Sequence, residues 1–165
     1  MTIVNPNPAP PQMPSRLPEE LVASTSFLLK RLGFRAKELA LDGYEQLGLG
    51  PYHHAVLAVL DEGSRETQGA IADALGYDRG QLVGLLDELE ERLLVERRRD
   101  PDDRRRHIVR LTPAGRRVLG KLRALAARLE EAFLAPLDLR QREQLHALLL
   151  QLAEEHVPRC ARGTR

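Results

Sequence analysis

Apolar residues recur along this chain mostly at helical spacing, and glycine, proline and short polar side chains mark where each run stops. From about Pro18 to Leu41, Leu21, Leu28, Leu32 and Leu39 follow that rhythm, which predicts one helix; Gly43, Gly48 and Gly50 then break it. Pro51 is well placed as a first helical residue, because its missing N–H would have no partner there anyway. A second helix is therefore expected over about Pro51–Asp61, closed by Gly63, and its dense run AVLAVL marks it as central. Thr67 can cap a short helix containing Ile71, Ala72 and Leu75, with Gly76 ending it. Asp78 and Gln81 have the spacing of a capping box, opening a helix to about Leu93 in which Leu82, Leu86, Leu89 and Leu93 line one face.

Two helices joined by so tight a turn form a helix-turn-helix. The second leaves Arg79, Gly80, Gln81 and Gly84 outside, a surface that can enter a major groove. The period then changes to two: Val95 opens one short strand, Ile108–Leu111 makes another, and Asp100, Pro101, Asp102 and Asp103 supply turn chemistry between them. A helix-turn-helix followed directly by a hairpin is a winged helix. Thr112 as cap and Pro113 as first residue open a long helix with Val118, Leu122, Leu125, Leu129 and Phe133 on one stripe. Asp138 and Gln141 start a last helix bearing Leu145, Leu148, Leu149 and Leu152.

These terminal helices, with the first, carry more apolar stripe than a chain of this size can cover by itself. A helical dimerisation layer is the expected use, and an intramolecular bundle is the alternative. The fold class is mainly α with a small β wing. The organisation expected is a Pro-rich arm over 1–16, an N-terminal dimerisation helix over 17–48, a winged helix-turn-helix DNA-binding domain over 49–111, C-terminal dimerisation helices over 112–157 and a tail over 158–165.

Charge sharpens this outline. Between Arg97 and Arg117 stand nine arginines against three aspartates, a local surplus of six, whereas the whole chain sums to +1. Cation concentrated on one ribbon is the footprint of phosphate-backbone binding, since each neutralised phosphate releases counterions. A solvated, salt-bridged hairpin, or a winged helix that meets an acidic protein surface without reading DNA sequence, is the alternative.

The stretch DPDDRRRHIVRLTPAGRRVL, supported by LGLGPYHHAVLAVL and IADALGYDRGQLVGLLDELEERLLVERR, resembles the MarR family of bacterial transcriptional regulators across about Leu17–Val157. The resemblance implies a homodimer that binds palindromic double-stranded DNA operators, usually represses transcription, and is released by a small anionic or phenolic effector. It also implies roles for residues. Arg105 matches the wing arginine that enters the minor groove and Asp103 the carboxylate that orients the wing, while Arg104 and Arg106 would face phosphates; Arg97 and Arg99 of the basic ribbon are further DNA-binding candidates. The effector pocket of the family lies between dimerisation helices and winged domain, where Arg35, Tyr44, His53 and His54 are the candidates.

Two departures from the family pattern stand out. Gly80, Val83 and Gly84 replace the usual Ser, Thr or Arg, leaving Arg79 and Gln81 as the obvious polar readers and shifting weight to the wing and to DNA shape. Leu93 occupies a position where the family usually has Gly.

Other chemistry finds little purchase. The adjacent His53 and His54 point about 100° apart on a helix and cannot form the i, i+4 pair that chelates zinc. Pro158 separates His146 and His156 from Cys160, and no phosphate loop, nucleophile elbow or H-E-x-x-H is present. No metal, cofactor or enzymatic activity is therefore expected, and Cys160 lacks the N-terminal placement of the family's oxidation sensors. One cysteine permits no internal disulfide, no apolar run reaches membrane-spanning length, and the cytoplasm is the expected compartment.

Overall fold

The computed structural model describes residues 16–63, 67–101, 103 and 107–160. Its elements are α1 (Glu19–Val22), α2 (Thr25–Glu45), α3 (Pro51–Asp61), α4 (Gln68–Leu75), α5 (Arg79–Glu91), β1 (Val95–Arg99), β2 (His107–Leu111), α6 (Pro113–Phe133), α7 (Leu139–His156) and a 3-10 turn at Pro158–Cys160. The chain forms two compact units, Met1–Arg35 and Ala36–Arg165.

In the first unit the single helix expected from Pro18 is interrupted. Ser24 is the cause: its hydroxyl accepts the Phe27 N–H at 3.3 Å, so the serine ends one helix at Ala23 and caps the next. Leu21, Leu28, Leu32 and Phe34 are all exposed. At the other end of α2, Gly43 does not stop the helix as its position suggested. A Cβ there would lie 2.8 Å from the Leu129 side chain, so this glycine serves close packing, and the turn to the left-handed region falls at Gly48, with φ +61°.

The second unit is built around α3. Its Val56, Leu57 and Leu60 are buried together with Ile71, Leu82, Leu86, Leu89, Val109, Leu119 and Leu122, so helix-turn-helix, wing and α6 share one core. The anticipated caps are in place: Thr67 accepts from the Ala70 N–H, Thr112 from Gly115 and Asp138 from Gln141. Gly76, with φ +69°, closes α4. The strands pair antiparallel in the register Val95↔Leu111, Arg97↔Val109 and Arg99↔His107.

Leu93 departs from expectation. It is not the last member of the α5 stripe but lies beyond the helix with φ +58° and is 74% exposed. The position is left-handed, which explains why a glycine belongs there and why leucine carries strain. Its carbonyl accepts the Thr112 hydroxyl at 2.7 Å, and the Thr112 N–H donates to the Leu94 carbonyl at 3.1 Å. Three residues on, a Cβ at Gly115 would lie 2.0 Å from that Leu94 oxygen. The LTPAG segment is thus a lock that seats the exit of the wing on the end of α5, and only glycine fits its last position.

Among the described residues no helix is long and apolar enough to cross a membrane. Helix α7 buries no residue, and the 3-10 turn after it returns to α4, where Arg159 donates to the Asp73 carbonyl at 2.9 Å.

Candidate nucleic-acid interface and ligand cavity

Helix α5 is an amphipathic element with a wholly buried inner stripe and a bare outer face. Asp78 accepts the Gln81 N–H at 2.9 Å and fixes the first turn, which leaves Arg79, Gly80, Gln81 and Gly84 exposed. A concavity of about 570 Å³ runs between this face, the start of α4 and the first residue of β2, next to the hairpin turn. Thr67, Gln68, Gly69, Val83 and His107 line it with Arg79. Val83, one of the departures from the family pattern, thus borders the concavity, and Gln68 and His107 are lining residues that the sequence does not mark. Those two become visible only with the wing folded back beside α4, where Thr67 bridges to Ile108.

Strand alternation decides what each wing arginine does. Arg97 lies on the same face as buried Val95 and Val109, so its side chain turns inward towards α5 rather than outward. There its Nε donates to Glu90 at 2.8 Å and an Nη to Asp87 at 2.6 Å, while its backbone N–H reaches Glu90 as well. The hydrogen bonds from Arg97 hold the Glu90 carboxyl below its ordinary range. Arg97 is therefore committed to clamping wing to helix, a role its residue type did not announce but the period of two counted from Val95 would have. Arg98 pairs with Glu96 at 3.0 Å on the exposed face, and Arg99 is exposed nearer the turn. Asp103 is half-buried. Arg104, Arg105 and Arg106 lie outside the described residues.

The four candidate ligand residues part ways. Arg35 belongs to the first compact unit and is exposed, whereas Tyr44, His53 and His54 belong to the second. The Tyr44 hydroxyl meets His54 Nδ1 at 2.6 Å. Burial pushes the tyrosine up and the histidine down, with Arg123 adding to the latter, so a protonated phenol donates to a neutral ring whose own proton sits on Nε2. Tyr44 also lines an apolar cavity of about 260 Å³ with Leu39, Pro51, Ala126, Leu129 and Phe133.

His53 is occupied elsewhere. Its Nδ1 accepts the Gly50 N–H at 2.9 Å and its Nε2 lies 3.0 Å from Glu88, so the ring caps α3 and ties it to α5. A second proton would set N–H against N–H at Gly50. Burial accordingly lowers its pKa, against the opposing pull of Glu88. Among the described residues no three His, Cys, Asp or Glu side chains converge as metal ligands.

Comparison with known proteins agrees with this architecture. Residues 47–106 match the sequence profile described as MarR family. A putative transcriptional regulatory protein for the hcr operon of Thauera aromatica is 30% identical over 129 residues, 73% of this chain and 78% of that protein. The transcriptional repressor CouR, solved bound to a 23-mer DNA duplex, superposes with a TM-score of 0.76 at 36% identity, covering 84% of this chain and 99% of that one. CouR from Rhodococcus jostii RHA1, solved with p-coumaroyl-CoA, gives 0.68 at 30% identity over 82% and 96% of the two chains.

Proposed function

The chain belongs to the MarR family of transcriptional regulators, and on that premise we propose that it acts as a homodimeric, ligand-responsive repressor of a palindromic operator. Two α5 helices would occupy successive major grooves roughly 34 Å apart, one helical turn of duplex. Arg79 and Gln81 would supply polar contacts from α5, Arg99, Arg104 and Arg106 would neutralise phosphates, and Arg105 would enter the flanking minor groove with Asp103 orienting the turn. The observation that carries this reading is the bare outer face of α5, set beside a basic hairpin that Arg97 fastens to the same helix.

The dimer is supported by α7, which exposes Leu148, Leu149 and Leu152 and buries nothing. An effector is supported by the apolar cavity at Tyr44, and the neighbouring hydroxyl–imidazole pair suits a phenolic or carboxylate group. Such a ligand represses or releases only through different affinities for two arrangements of the dimer, so its effect is a population shift and not turnover.

Selecting bound fragments from a pool of random duplexes tests the proposal. A palindromic consensus, a symmetric footprint and a steep loss of affinity with salt are expected. A protein that enriches no duplex, or binds all with one affinity, is instead an interaction module; the sparse polar inventory of α5 is the feature that favours that second reading.

A further inference from the structure

Helix α5 carries one glycine, Gly84, that its own fold does not require, and another, Gly80, whose added Cβ would press on the Asp78 cap. Neither Gly80 nor Gly84 has a left-handed backbone. A Cβ on Gly84 meets nothing within 4 Å, and one on Gly80 meets only the Asp78 carboxylate oxygen at 3.2 Å. Glycine weakens a helix relative to alanine, so a position that neither packing nor φ demands, as at Gly84, needs a reason outside the chain. Openness alone does not name that reason, because Gly33 and Gly120 also face empty space. What sets Gly80 and Gly84 apart is the side chain they flank.

Val83 lies on the same helical face, is 42% exposed, and borders the concavity beside Arg79. One turn further, Asp87 is held by Arg97, so the outer face changes character there from bare to clamped. An exposed aliphatic group between two stretches of naked backbone, next to a cation, has an apolar counterpart in the major groove. Among base edges, that counterpart is the C5-methyl group of thymine.

The geometry points to Val83 as a specificity-determining residue that packs against one thymine methyl in each half-site. Gly80 and Gly84 let the helix come close enough for so short a side chain to reach. This rests on the DNA-binding reading above and adds the base it selects.

The test uses the full-length protein and the duplex it selects. Each thymine is replaced in turn by deoxyuridine, which deletes only the methyl group, and affinity is measured at fixed salt. One symmetry-related thymine per half-site should lose about fourfold, the scale of burying a single methyl. With Val83→Ala protein that replacement should have no further effect, while losses at other thymines persist and show that the variant still folds and binds. Gly84→Ala should melt at a higher temperature yet bind roughly tenfold more weakly, because its new Cβ intrudes on a close-packed contact. Identical deoxyuridine profiles for the two proteins, or a Gly84→Ala variant that binds as tightly as the parent, overturns the inference and leaves the regulator reading intact. A protein that selects no duplex overturns both.

Discussion

Leu82, Leu86 and Leu89 of α5 and Leu145, Leu148, Leu149 and Leu152 of α7 repeat at the same helical spacing, yet the first set is buried and most of the second is exposed. Helix α5 is pressed against α3, α4 and β1; α7 is fastened near its ends, by Arg142 to Glu131 and the Leu137 carbonyl, and by Arg159 to Asp73. Periodicity states that a helix has an apolar face and is silent about what covers it. The winged region supplies its own cover, whereas α7 leaves Leu148, Leu149 and Leu152 exposed, the face we propose to bury in a dimer. Apolar surface on that scale is covered by a partner far more readily than it is left wet.

That contrast can be broken at four places, each with its own size of effect. Gly115→Ala should do most damage, since the Leu94 carbonyl occupies the space of the new Cβ; a loss of about 3 kcal/mol or more is expected in denaturant unfolding. A variant that unfolds at the parent midpoint would deny that the wing lock matters. Joint replacement Leu148→Glu and Leu152→Glu should spare the winged core and weaken self-association by on the order of 100-fold, seen in sedimentation and as an apparent melting temperature that no longer depends on concentration. An unchanged dimer would move the interface away from α7.

Arg97→Ala should cost about 1 kcal/mol, a figure kept low because Glu90 and Asp87 are partly solvated. The pH profile identifies the cause. Glu90 titrates below its ordinary value of 4.5 in the folded state, so its contribution is present above that value and fades as pH falls through the lower folded one. The parent should therefore lose stability more steeply than Arg97→Ala as acid is added below about pH 4.5. The smallest effect is expected at Leu93→Gly, a gain of up to about 1 kcal/mol as relief of left-handed strain outweighs the added freedom of the unfolded chain.

Much of the fold was legible because local signals agreed: Thr67, Asp78, Thr112 and Asp138 cap helices where spacing placed them, and Gly76 ends one. Ser24 was missed because a serine inside an apolar rhythm reads as an exposed position until its hydroxyl is seen to take the Phe27 N–H. Gly43 was misjudged for the opposite reason, a residue that usually ends helices being used for closeness to Leu129. At the candidate site, exposure of Arg79, Gly80, Gln81 and Gly84 followed from the leucine stripe. The fate of His53 did not, since its partner Glu88 is 35 residues away and no local pattern brings them together. Arg97 lies between these cases, readable from alternation but overshadowed by the charge around it.

The inward turn of Arg97 has a mechanical consequence. A hairpin bolted at its base to the reading helix surrenders the swivel that an unanchored ribbon would keep, so helix and ribbon advance or retreat as a single caliper jaw. In the proposed dimer, target sites recognised by two such jaws would differ in the gap between their halves only as far as the dimer stretches. Inside each half, an added base pair between core and flank meets a gauge that does not adjust.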